Sequence, residues 1–173
     1  KPSETFGFEP GADYKMATYD QMLAYYTKLD AATDRVQMID IGKSVRGRPI
    51  KLIFISSEEN MKSLDKWKDI SAKMARATIP ADEARKLSKE GKAIIWFDGG
   101  MHASEKAHAQ MTPELVWRIA SEESDEMKSV RNNVVTLVVP VINPDGLDIV
   151  GSWYRKYVGT PYETSDPPIL YQE

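Results

Sequence analysis

The chain has 173 residues, of which 42% are hydrophobic and 28% charged, enough to bury the core of one soluble domain or most of one. A formal charge of -3 without any basic run excludes a general pull toward phosphate backbones or anionic lipid, so neither nucleic acid nor membrane is expected as a partner. The chain has no cysteine, which excludes disulfides and thiol chemistry and leaves only His, Asp and Glu to hold a metal ion.

The first helical signal is "TYDQMLAYYTKLDAAT", where Thr18 or Asp20 can cap and Met22, Leu23, Tyr26 and Leu29 recur every three to four residues. The spacing predicts a helix from about Tyr19 to Ala32. Two β-rich runs follow, "VQMIDIGKSV" and "RPIKLIFISS". Ile39, Ile41, Ile50, Leu52 and Phe54 alternate with polar neighbours about the turn-like "GKSVRGR", which predicts a hairpin in an antiparallel part of a sheet. The charged stretch after it repeats apolar residues at Met61, Leu64, Trp67, Ile70 and Met74 and breaks at Pro80, as a helix with a solvated face would.

"KAIIWFDGG" is a short, nearly continuous apolar run, the pattern of a strand buried on both sides. A helical segment, "SEKAHAQMTPELVWRIASEESDEM", carries Leu115, Val116 and Ile119 on one face, with Pro113 as a point of kinking or restart. "NNVVTLVVPVINPDG" then gives a second buried strand closed by a turn-forming Asn-Pro-Asp-Gly. Strand, helix, strand at this spacing is a parallel crossover. With the hairpin it predicts an α/β fold whose mixed parallel and antiparallel sheet has helices on both faces. The four tryptophans, Trp67, Trp96, Trp117 and Trp153, are expected mostly in the core, with Trp153 also placed to border a cleft.

In open α/β sheets, ligands gather beyond the carboxyl ends of the parallel strands, and "DGGMHASE" occupies that place. Gly99 and Gly100 permit tight turning and close backbone approach, while His102 and Glu105, three apart at a helix entry, can point the same way. An imidazole nitrogen and a carboxylate aimed at one point make two ligands of a tetrahedral zinc site, although a histidine merely hydrogen-bonded at a strand end fits the bare spacing equally well.

"FDGGMHASEKA" and "VVPVINPDGLDIVGSWYRK", with "IDIGKSVRGRPIKLIFIS" upstream, resemble the zinc carboxypeptidases of the M14 metallopeptidase family from about Met38 to Lys156. The resemblance implies that His102 and Glu105 are two ligands of a catalytic Zn2+ and that Arg155 polarises the scissile carbonyl. It implies a peptide substrate that loses its C-terminal residue. The family's third zinc ligand, a histidine, has no counterpart here. The other histidine, His108, lies six residues past His102, a rise of about 9 Å on a regular helix, so it is expected on a helix face and not on the ion.

The Asn-Arg pair that grips the substrate carboxylate, a nearby tyrosine and the general-base glutamate are also without counterparts. The chain is therefore expected to be the N-terminal part, residues 1–173, of a single incomplete catalytic domain ending in "DPPILYQE". Alone it is expected to be inactive, to bind zinc weakly or not at all, and to self-associate or pair with the remaining C-terminal part. A secreted or periplasmic location goes with this reading, with any export signal outside the chain. Two alternatives stand beside it: an amidohydrolase acting on small acyl amino acids, and a non-catalytic binding domain on the same fold. Asp145 is read as part of an Asx-type turn before Gly146 and not as a metal ligand.

Overall fold

The structure, a computed structural model, describes residues 1–165. The final "DPPILYQE" lies outside the described residues. The elements in chain order are α1 (Ser3–Phe6), α2 (Tyr19–Ala32), β1 (Val36–Lys43), β2 (Pro49–Ile55), α3 (Glu58–Met61), α4 (Leu64–Arg76) and α5 (Ala81–Glu90). They continue as β3 (Ala93–Asp98), α6 (Lys106–Ser121), α7 (Asp125–Asn133), β4 (Val134–Val139) and α8 (Pro144–Tyr157).

Helix α2 begins where its cap dictates. The Thr18 hydroxyl accepts from Gln21 N at 3.1 Å and the Gln21 side chain accepts from Thr18 N at 2.9 Å, a reciprocal box that satisfies two of the orphan amides of a helix start. β1 and β2 form the expected antiparallel hairpin, pairing Val36 with Ile55 at one end and Lys43 with Pro49 at the other. β2 pairs antiparallel with β4, and β3 pairs parallel with β4, giving the sheet order β1-β2-β4-β3. The sheet is mixed, as its pattern of connections requires.

One face carries the core. Tyr19, Met22, Tyr25 and Tyr26 of α2 meet Val116, Ile119 and Ala120 of α6 over Val36, Ile53, Ile55 and Val138 of the strands, joined by Leu147 of α8. On the other face α4 lies over Ile39, Leu52, Phe54, Ile94, Val135 and Leu137, leaving between them an apolar cleft of about 610 Å³. Period-two alternation along β2 and β4 sends successive side chains to these two layers.

Three expectations need correction. β3 is not buried on both sides: it is an outer strand, exposed along its length, with Ile95 42% and Trp96 50% accessible. Its continuous apolar run has a partner on one side only among the described residues. The tryptophans are not fully buried either: Trp96 is exposed, Trp67 and Trp153 are half-buried, and Trp117, also half-buried, packs against the core. Third, Asn-Pro-Asp-Gly is not a free turn. It is the first turn of α8, with Asn143 as N-cap accepting from Gly146 N at 2.9 Å and Pro144 at the first helical position, where a missing N–H costs nothing.

Pro113 sits inside α6 without ending it. A proline there leaves the Ala109 carbonyl without its helical donor, and the Thr112 hydroxyl takes over at 2.8 Å. That hydroxyl also meets the Tyr26 hydroxyl at 2.9 Å in the core, so the repair is tied to α2.

Candidate functional site

The carboxyl ends of β3 and β4 are laced together. Gly99 N donates to Val139 O at 2.8 Å, Ile142 N to Gly99 O at 2.9 Å, and Asn143 N to Gly100 O at 3.1 Å. The Asn143 side chain, already capping α8, also donates to Met101 O at 3.2 Å. The loop that carries His102 is therefore fastened to the start of α8 by main-chain and side-chain bonds at once.

Glycines make this closeness sterically possible. A Cβ on Gly99 would stand 2.4 Å from Pro140 O and 2.6 Å from Thr112 Cγ2, and one on Gly146 would stand 2.8 Å from Ala103 Cβ. Any larger residue at either place would push the loop away from the helices beside it.

The loop brings His102 and Glu105 together: Nδ1 of the imidazole and Oε2 of the carboxylate are 2.8 Å apart, and both side chains are half-exposed. The stretch from Met101 to Glu105 is loop, and α6 begins only at Lys106, so the rise of a regular helix does not separate His102 from His108 as expected. His108 Nδ1 approaches the same Glu105 oxygen at 3.7 Å. Among the described residues no three His, Asp or Glu side chains are grouped so as to hold a metal ion. The donor set that the fold assembles fits zinc as a pair, one imidazole nitrogen and one carboxylate, with further ligation left to other residues.

Arg155 lies on the last turn of α8, exposed, its guanidinium donating to Ser152 Oγ at 3.4 Å and facing no carboxylate within ion-pair distance among the described residues. Helix α8 is fixed at both ends. At its start the Asp145 carboxylate accepts from the Ser44 hydroxyl at 2.7 Å and from Arg46 N at 3.1 Å, which ties it to the turn between β1 and β2. Arg48 of the same turn pairs with Asp148 and with Asp20, and partial burial raises the Asp148 carboxyl above its usual range. At the far end the Lys106 ammonium lies 5.1 Å from the centre of the Tyr154 ring, with burial lowering its pKa.

Asp145 thus does not form the Asx-type turn expected of it: Asn143 makes that bond, and Asp145 reaches 101 residues back along the chain. Nothing in the sequence announces this contact or the Lys106–Tyr154 stack, since both join segments distant in the chain.

Comparison with known proteins agrees with the architecture. The sequence profile of the zinc carboxypeptidase family, Peptidase M14, matches residues 22–163. No curated protein matches. Among solved structures, carboxypeptidase A from Helicoverpa armigera superposes with a TM-score of 0.53 at 20% identity, over 94% of this chain and 33% of that one. Bovine thrombin-activatable fibrinolysis inhibitor, in complex with tick carboxypeptidase inhibitor, gives 0.52 at 16% identity over 80% and 34%. A metallo-carboxypeptidase from Burkholderia cenocepacia gives 0.51 at 19% identity over 75% and 27%. The chain spans about a third of the length of these structures. With the profile covering most of its residues, the chain belongs to the zinc carboxypeptidase family, Peptidase M14.

Proposed function

We propose that this chain is the N-terminal part of a zinc metallocarboxypeptidase that releases C-terminal residues from peptides, secreted or periplasmic, with His102 and Glu105 as two of its zinc ligands. The supporting observation is the convergence of His102 Nδ1 and Glu105 Oε2 at 2.8 Å, on a loop laced to the start of α8 at the carboxyl end of the parallel strands. Zinc bound there would activate a water molecule and polarise the substrate carbonyl.

The residues of this chain have distinct tasks in that reading. His102 and Glu105 supply one neutral nitrogen and one negative charge to the metal. Arg155, lacking a carboxylate partner among the described residues and carried by a helix anchored at Asp145 and Tyr154, offers guanidinium donors to an oxygen that gains negative charge. The clasp at Asn143 keeps the metal loop and α8 in one frame, which matters because small misplacements of catalytic groups are costly in rate.

Two ligands leave zinc half-coordinated, so the isolated chain is expected to hold it weakly or not at all and to show no hydrolysis. The exposed apolar strand β3 also makes self-association, or pairing with the rest of the polypeptide, the expected behaviour of the isolated chain.

The deciding experiment uses the full-length polypeptide. It should carry one zinc per molecule and release C-terminal residues, and Arg155→Ala should lower kcat about a hundredfold with zinc content unchanged. A full-length protein without zinc overturns the reading in favour of a binding module. Hydrolysis confined to small acyl amino acids favours an amidohydrolase.

A further inference from the structure

The carboxylate of Glu105 is shared between two imidazoles. Its Oε2 lies 2.8 Å from His102 Nδ1 and 3.7 Å from His108 Nδ1, and the first turn of α6 stacks positions 105 and 108 on one side of the helix. The backbone under His108 is held from behind. The space left by the absent Cβ of Gly99 brings the His108 carbonyl to 3.2 Å of that point, Ala109 Cβ stands 3.0 Å from the corresponding point of Gly100, and Ala109 and Thr112 are almost fully buried. His108 is thereby attached to the core, whereas Glu105 precedes α6 and His102 lies in the exposed loop.

A carboxylate has about four lone-pair sites, and a bound ion engages only some of them. The donors that fill the rest decide which way the group faces. Among the described residues His108 does not join a group of three metal-binding side chains, yet its Nδ1 needs to move only about 1 Å or less to reach hydrogen-bond range of Glu105. We infer that His108 is a positioning residue: as a neutral ring it donates Nδ1–H to the Glu105 carboxylate and holds that ligand in orientation, which leaves the His102 ring free to serve the metal. This inference rests on the metal reading of His102 and Glu105 given above. Both side chains are half-exposed, so the contact contributes little to fold stability and shows itself in orientation and affinity.

The test has one arm without metal and one with it. In the first, ¹⁵N long-range correlation spectra of the 173-residue chain are recorded at about pH 8, where imidazoles are ordinarily neutral. The Nδ1–H tautomer of His108 should predominate in the native chain and yield to the Nε2–H form in Glu105→Ala, which removes the acceptor. A His108 tautomer that is Nε2–H from the start, or indifferent to Glu105→Ala, overturns the proposal. In the second arm zinc is titrated into the same chain. His108→Ala should weaken binding about tenfold, and His108→Asn, which keeps an N–H near the place of Nδ1 but is a poor zinc ligand, should restore it to within about threefold. Unchanged affinity in His108→Ala overturns the inference, as does an Asn variant as weak as the Ala one, which would make His108 a ligand. Native chain that takes up no zinc at all reflects the ligands it lacks, in which case the His108→Ala comparison is made on the full-length polypeptide with the same outcomes, while the tautomer arm judges His108 independently.

Discussion

On one face of the sheet Tyr19, Met22 and Tyr26 of α2 close against Val116 and Val138 with at most 1% of any of them exposed. On the other, α4 buries only Ile70 completely and stands off the strands across a cleft, and α5 buries none of its residues. Both faces are built from the same strands with the same alternation, so the difference lies in what covers them. Aromatic and branched side chains interlock on the first face, while α4 presents Leu64, Trp67, Ser71, Ala72 and Ala75, with the charged Asp65 and Lys68, to the second. Close packing stabilises in proportion to the atoms brought into contact, so stability should be concentrated on the α2–α6 face.

The largest expected effect tests that asymmetry. Met22→Ala removes a fully buried side chain and should cost about 2–5 kcal/mol in urea unfolding, whereas Leu64→Ala, beside the open cleft, should cost less than about 1.5 kcal/mol. Equal losses would show that the second face is as well packed as the first.

A smaller effect separates the faces by pH. Burial raises the Tyr19 hydroxyl from 10.0 to about 12, and Tyr25 and Tyr26 are raised as well, all three on the α2 face. Above pH 10 the unfolded chain sheds these protons before the folded one does, so stability falls as pH climbs from 10 toward 12. Tyr19→Phe should remove about 1–2 kcal/mol of that alkaline loss, read as a flatter dependence of unfolding free energy on pH between these limits. A slope identical to that of the native chain would place Tyr19 outside the coupling.

The smallest effect concerns neither face but the outer strand. Trp96→Lys on exposed β3 should change stability by less than about 0.5 kcal/mol while reducing self-association in sedimentation, because a charge on an open edge opposes strand pairing. Unaltered sedimentation would assign any association to the cleft instead.

Much of this was legible in the residues because it is local. Thr18 announces the start of α2, the alternation from Ile50 to Phe54 announces β2, and the crossover from β3 to β4 follows from the order of elements. His102 and Glu105 were legible as neighbours for the same reason: three positions at a helix entry suffice to bring them together. What sequence pattern could not supply is the neighbour across space. The run Ala93–Asp98 reads as a doubly covered strand because its composition suits that environment, but composition does not say which neighbouring strands are in place. Asp145 reads as a turn residue because its acceptor role toward Ser44 depends on a hairpin far upstream. Pro113 reads as a point of kinking or restart because the substitute donor, Thr112, is recognised only once the helix is formed.

The bond between Asp145 and Ser44 closes a loop of 101 residues, and that between Asn143 and Met101 a loop of 42. Each forms only after the segment between its ends has been ordered, since the entropy of closing a long flexible loop is otherwise unrecovered. During synthesis on the ribosome the hairpin and α2 can therefore assemble early, while the loop holding His102 stays unclasped until the start of α8 has emerged. Under the zinc reading proposed above, metal capture by this loop would therefore be a late event in the life of the nascent chain. Pulsed hydrogen exchange should show amides of β1 and β2 protected before those of Ile142 and Asn143; simultaneous protection would mean that the clasp belongs to the folding nucleus.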